Sequence, residues 1–262
     1  MKNQSAFRLG LVGHPVSHSQ SPQLFQRFFE DFGHTNARYE LFDIPQIEQL
    51  QDFLAAQQLA EAPLIGFNVT VPHKVAIIPL LSSISLEAQA VGAVNTVLIK
   101  PEPTGIELHG YNTDVAGFDR SFKWLCEQTQ QPCSNVVIIG NGGSAKSVKF
   151  VLEQQQIPYV VWYRNQCFSQ QGMETNVSMH IEPNTLFVHT TPVGMWPNVE
   201  DCIDLTWIEI KETHRLIDLV YNPAETQLMQ HFLAAGAFAM NGKYMLEQQA
   251  IAAWTLFQSN LP

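Results

Sequence analysis

Two short stretches in the first half of the chain hold the residue types that handle an oxygen-rich small molecule. Asn68-Val69-Thr70-Val71-Pro72-His73-Lys74 carries an amide, a hydroxyl and an ammonium, and Gly110-Tyr111-Asn112-Thr113-Asp114 carries a phenol, an amide, a hydroxyl and a carboxylate. Neutral hydrogen-bonding groups suit the hydroxyls of a small ligand, and the single cation and single anion add a proton donor and acceptor. Taken alone, Lys74 reads as a surface lysine and Asp114 as the N-cap of a helix starting near Val115, a role compatible with ligand binding. A third stretch, Gly140-Asn141-Gly142-Gly143-Ser144-Ala145, follows the apolar run 135–139 and precedes a helical pattern of Val148, Val151 and Leu152. Strand, glycine turn and helix in that order fit a dinucleotide site. Glycines permit the tight turn and close backbone approach, and a helix N-terminus favours a pyrophosphate.

The next strand ends in Tyr163-Arg164-Asn165, with no acid to accept from a ribose 2′-hydroxyl. Arg164 can pair with a 2′-phosphate, which favours NADP over NAD; otherwise it is a solvated arginine at a strand end. Near the N-terminus, His18-Ser19-Gln20-Ser21-Pro22 sets two hydroxyls at a helix start, where they can hold a carboxylate. Ser21 fits the N-cap and Pro22 the first helical position; capping needs Ser21 but not Ser19. His14, His18, His73 and His109 lie near these motifs without metal-ligand spacing, so no metal is expected.

These groups need a scaffold, and the apolar periodicity supplies one. Strands are predicted over 7–13, 37–42, 64–71, 135–139, 159–163, 185–189 and 216–220, with a hairpin of 93–100 and 105–110 around Pro101 to Thr104. Helices are predicted from Ser21 to Gly33 and over 47–59, 86–92, 115–126 and 244–257, with another after the glycine loop. Strands alternating with helices imply a mostly parallel sheet. At 262 residues, 45% hydrophobic and 15% charged, the chain has material for two domains. A net charge of −10 with only 14 Lys and Arg leaves no basic footprint for nucleic acid. Four cysteines without C-x-x-C spacing read as reduced thiols. Neither a signal-peptide core nor an apolar run of ~20 residues is present, so a soluble cytoplasmic protein without a membrane partner is expected.

In this order the motifs resemble the shikimate dehydrogenase family across nearly the whole chain. H-S-x-S-P fits His18 to Pro22, N-V-T-x-P-x-K fits Asn68 to Lys74, and G-A-V-N-T fits Gly92 to Thr96. N-T-D-x-x-G-F fits Asn112 to Phe118, T-P-x-G-M fits Thr191 to Met195, and D-x-V-Y-x-P fits Asp218 to Pro223. M-L-x-x-Q-A fits Met245 to Ala250. The resemblance implies an α/β protein of two domains. Residues 1–113 would form an open mixed-sheet substrate domain, 114–241 a Rossmann-type NADP-binding domain, and a helix over 242–262 would complete the first domain. It implies NADPH-dependent reduction of 3-dehydroshikimate to shikimate, in the biosynthesis of chorismate and aromatic amino acids. Ser19, Ser21 and Tyr221 would hold the substrate carboxylate; Asn68, Thr70, Asn95, Asp114 and Gln249 the ring hydroxyls and reacting oxygen. Lys74 would transfer the proton with Asp114 beside it. The glycine loop and Arg164 would bind the cofactor, with Thr191, Met195, Val220 and Gly242 lining its nicotinamide pocket. Departures fall on the cofactor side. Phe168 stands where a second base often follows the arginine, His189-Thr190 replaces Asn-Ala, and Lys243-Tyr244 replaces a glycine-containing turn. The alternatives are a quinate/shikimate dehydrogenase using NAD and a non-catalytic metabolite-binding paralogue; retention of Lys74 and the glycine loop speaks against the latter. Either a monomer or a homodimer is compatible with the sequence.

Overall fold

The computed structural model describes residues 6–103, 105–175, 181–204 and 206–262. The chain divides into two compact units, one of residues 1–113 with 249–262 and the other of residues 114–248.

In the first unit, β1 (Arg8–Gly13), α1 (Ser21–Asp31), β2 (Arg38–Asp43), α2 (Leu50–Gln57) and β3 (Leu64–Val69) alternate as the periodicity requires. The short α3 (His73–Ala76), β4 (Ser83–Ile84), α4 (Leu86–Val91), β5 (Thr96–Glu102) and β6 (Gly105–Tyr111) follow. The sheet order is β2-β1-β3-β5-β6-β4, parallel across β2-β1-β3 and antiparallel across β3-β5-β6. The hairpin strands reach Glu102 and Gly105, further than the predicted turn at Pro101 allows. β3 pairs with β5 only over Thr96 to Leu98, so Pro101 lies beyond that ladder and its missing N–H breaks no bond there.

Strand alternation sorts β3 into two faces. Phe67 and Val69 enter one core with Val12, Leu54, Ile77 and Val97. Asn68 and Gly66 point to the other face, where Phe25 and Phe29 of α1 meet Ala253, Trp254 and Phe257. A Cβ on Gly66 would lie 2.6 Å from the Phe257 ring, so glycine lets the C-terminal helix lie flat on the strand.

The second unit comprises α5 (Asp114–Thr129), β7 (Val136–Ile139), α6 (Gly143–Gln154), β8 (Tyr159–Tyr163), β9 (Gln166–Ser169) and β10 (Glu174–Thr175). It continues with β11 (Leu186–His189), β12 (Arg215–Asp218), α7 (Gln227–Ala234) and β13 (Phe238–Met240), and then α8 (Lys243–Gln258) starts. The sheet order is β10-β9-β8-β7-β11-β12-β13, parallel across β8-β7-β11-β12-β13 in the Rossmann manner. The edge departs from that pattern: β8 turns directly into antiparallel β9. Trp207 stacks on Trp162 of β8 at 4.8 Å, in a core that Ile203, Trp207, Ile208 and Ile210 share with Phe187, Leu216 and Phe232. Helix α8 crosses from this unit at Gln248 into the first at Gln249. Its second half lays Ala250, Ala253, Trp254 and Phe257 on the first sheet.

The cysteines are all free thiols, and burial pushes Cys133 and Cys167 up to about 11, leaving them protonated and poorly nucleophilic. No helix among the described residues is long and apolar enough to cross a membrane.

Candidate active site

The segment Ala93–Asn95 joins the two polar stretches. Val94 N–H donates to the Lys74 carbonyl (2.7 Å), Asn95 N–H to the Tyr111 carbonyl (3.0 Å), and Val69 N–H to the Asn95 carbonyl (2.8 Å). Gly92, in the left-handed region at φ 65°, ends α4 and aims the chain into this slot. Side chains then form one chain of bonds. Tyr39 donates its hydroxyl to Asn68 Oδ1 (2.8 Å), and Asn68 Nδ2 donates to Thr96 Oγ1 (2.9 Å). Asn95 Nδ2 donates to Thr113 Oγ1 (3.0 Å), while its Oδ1 accepts from Thr113 N–H (2.7 Å). Thr113 Oγ1 reaches Gln249 Oε1 (3.3 Å), which brings the C-terminal helix to the same network. Asn68, Asn95, Thr96 and Thr113 are all buried. Such a network fixes each amide and hydroxyl in one orientation, as discrimination among ring hydroxyls requires. The sequence reading assigned Asn68, Asn95 and Gln249 here; it held Thr96 and Thr113 in its motifs without a site role, and it missed Tyr39.

Lys74 lies half-buried on α3. The neighbouring His73 is buried, with Nε2 2.6 Å from the Ile44 carbonyl, and so ties the helix to the loop after β2. Thr70 N–H donates to the Val12 carbonyl (2.9 Å), setting its side chain at the carboxyl end of β1. At the start of α1 the capping expectation is corrected. Gln20 is the N-cap, Ser21 the first helical residue, and Ser19 Oγ accepts from Ser21 N–H (3.2 Å) while donating to Ser21 Oγ (3.2 Å). The two hydroxyls therefore form one pair at the helix start. Burial holds His18 below the ordinary imidazole value, which keeps it neutral at pH 7. Asp114 is the first residue of α5 rather than the residue before it, and is 5% exposed.

In the second unit, β7 opens onto the glycine loop. Gly140 has φ 113°, and a Cβ there would come within 2.5 Å of Thr190 Oγ1, so both backbone and packing require glycine. Gly142 caps α6, Gly143 and Ser144 open it, and Ala145 is buried beneath. A Cβ on Gly142 would meet only open space, leaving a cradle over the N–H groups of a 12-residue helix. That cradle fits a dinucleotide pyrophosphate.

Thr191 and Val220 follow the carboxyl ends of β11 and β12, beside the loop. A buried network fixes them. His189 Nδ1 donates to Asp218 Oδ1 (2.8 Å), and its Nε2 lies 2.5 Å from the Thr191 hydroxyl oxygen. The other Asp218 oxygen accepts from Thr226 (2.6 Å), and Oδ1 also takes Val220 N–H (3.0 Å). His189 and Asp218 are 1% and 0% exposed. The His189-for-Asn departure is therefore a satisfied internal network. Met195 closes the Thr191 turn by donating its N–H to the Pro192 carbonyl (3.1 Å). Tyr221 comes next after Val220, in a segment whose Asn222 carbonyl accepts from Trp196 N–H (2.9 Å).

Two cofactor-side residues also carry local structural constraints. A Cβ on Gly242 would fall onto the Leu219 carbonyl oxygen, so this glycine has a backbone-packing reason of its own. Gly242→Ala is expected to cost about 1–3 kcal/mol in chemical denaturation, because backbone must move to admit the methyl group; an unchanged midpoint would show that the crossing is loose. Arg164 is not at a simple strand end. Arg164 and Asn165 have φ 52° and 58° and form the two-residue turn between β8 and β9.

A family model described as the shikimate dehydrogenase substrate binding domain matches residues 11–97. The chain is 34% identical to a shikimate dehydrogenase (NADP(+)) of Bacillus licheniformis, over 97% of this chain and 92% of that one. A solved shikimate dehydrogenase 1 from Peptoclostridium difficile superposes with TM-score 0.81 at 33% identity, covering 97% and 92% of the two chains. The Thermus thermophilus shikimate 5-dehydrogenase in complex with NADP(H) and shikimate gives TM-score 0.75 at 29% identity, covering 98% and 95%. With the ordered motifs seated on both sheets and the likeness running the length of the molecule, the chain belongs to the shikimate dehydrogenase family.

Proposed function

We propose that the protein is an NADP-dependent shikimate dehydrogenase that interconverts 3-dehydroshikimate and shikimate. The observation that carries this reading is the buried Asn68–Thr96 and Asn95–Thr113–Gln249 network, in the same unit as Lys74. It presents fixed amides and hydroxyls to a polyhydroxylated ring. Ser19, Ser21 and Tyr221 take the carboxylate, and Asn68, Thr70, Asn95, Asp114 and Gln249 the oxygens of the ring. The bound nicotinamide supplies the hydride. As the carbonyl carbon receives it, the C=O electron pair moves onto oxygen, and the Lys74 ammonium stabilises that charge and donates the proton. Lys74 then regains a proton from solvent. Asp114 is the second catalytic group of this reading. Gly140 to Ala145 would hold the pyrophosphate, and Arg164 would pair with the 2′-phosphate. Thr191, Met195, Val220 and Gly242 line the nicotinamide pocket.

A second reading, a quinate/shikimate dehydrogenase using NAD, is favoured by one observation: Phe168 stands where the resemblance has a second base. Initial rates with shikimate and quinate, each with NADP and NAD, separate the two. The proposal expects shikimate with NADP to be fastest. Preference for quinate with NAD would replace it with the second reading, and no turnover in any combination would sink both.

A further inference from the structure

We propose that Lys149 supplies the second cation for the cofactor 2′-phosphate, compensating for the base absent at position 168. This inference rests on the NADP reading above. The hairpin explains why position 168 cannot serve. The chain reverses at Arg164-Asn165, so Phe168 runs back along β8 opposite Val161, and its ring packs against Tyr163 at 4.9 Å. A basic side chain there would start inside the hairpin, away from the turn that carries Arg164.

Lys149 approaches from the other wall. It lies on α6, and its Nζ donates to Oδ1 of Asn141 at 2.6 Å, the residue between the first two glycines of the loop. The parallel register sets Ile139 beside Trp162, and Gly140 N–H donates to the Trp162 carbonyl at 2.8 Å. Asn141 and Tyr163-Arg164 therefore leave the sheet from neighbouring strands, which lie about 4.8 Å apart. The Lys149 ammonium and the backbone turn that carries Arg164 flank the same pair of strand ends. Asn141 is neutral, so its bond aims the ammonium without cancelling its charge. Burial draws Lys149 below the usual lysine value and Lys146 adds to that, against the opposing pull of Glu153. An incoming phosphate dianion would relieve that strain on the charged form.

The test uses the full chain with two fragments that differ only in the phosphate, 2′,5′-ADP and 5′-AMP, titrated by calorimetry. Lys149→Met keeps the aliphatic stem and removes the charge. It is expected to weaken 2′,5′-ADP about tenfold, the size of one charge-assisted contact, and to leave 5′-AMP within about twofold. Lys149→Arg should keep the wild-type preference. Equal weakening of both fragments, or none, overturns the role of Lys149. Wild-type protein that binds the two fragments equally would overturn the NADP reading and this inference together, so the wild-type titration tells the two failures apart.

Discussion

Lys74→Ala is expected to lower turnover by about 10²–10⁴-fold, the usual contribution of a positioned proton donor, while changing the dissociation constant for shikimate only a few-fold. The reason is a division of labour in the short helix α3. His73 is the buried anchor, with its ring on the Ile44 carbonyl, and the Lys74 backbone carbonyl accepts from Val94 N–H. Neither contact uses the Lys74 side chain, so truncating it leaves the slot that holds Asn95 in place. Ground-state binding falls to amides and hydroxyls that the substitution does not touch. Kinetics under saturating cofactor, with shikimate binding measured separately, read the two quantities apart. Wild-type turnover in Lys74→Ala would remove the lysine from the mechanism; an equal loss in binding and turnover would make it a ground-state contact instead.

The second large effect falls on stability. Asp218→Ala is expected to destabilise the protein by about 3–5 kcal/mol, the range for removing one partner of a buried ion-pair or hydrogen-bond network. The carboxylate is fully buried and serves His189 Nδ1, the Thr226 hydroxyl and Val220 N–H together. Losing it leaves three donors without an acceptor where water does not reach, each costing about 1–3 kcal/mol before relaxation. Thr226→Val removes one of these bonds, and also the cap on Met229 N–H that opens α7, for an expected cost of about 1–2 kcal/mol. Urea denaturation of both variants checks the order. Asp218→Ala as stable as wild type would mean that the network is not intact in solution.

The two halves of the chemistry were unequally legible in sequence. Strands β1, β3, β7 and β8 announced themselves as apolar runs bounded by glycine or proline, and the glycine loop sat where a strand had just ended. Asn68 and Asn95 could be named because each lies in a dense polar motif. Tyr39 could not. It reaches Asn68 only because β2 and β3 both pair with β1, and it otherwise stacks on Phe25 as an ordinary core aromatic. Arg215 was hidden for a related reason. It is 2% exposed in a strand, with its guanidinium on the Gln131, Pro132 and Asn184 carbonyls, partners scattered along the chain. Helix α7 did carry a signal, the Thr226 cap followed by Leu228, Met229 and Phe232, but it is only 8 residues long. The β8–β9 hairpin was the most consequential omission. Arg-Asn with both residues at positive φ is a turn that few sequences make obvious, and it sets where Arg164 leaves the sheet.

The most direct test of the account follows the hydride itself. Purified protein is mixed with 3-dehydroshikimate and NADPH carrying deuterium at nicotinamide C4, prepared separately in each of the two stereochemical forms, and the product is identified by mass and by NMR. The account predicts shikimate with one deuterium on the newly reduced carbon from one form, and unlabelled shikimate from the other. Label absent with both forms, or no shikimate produced while NADPH remains bound, would contradict it.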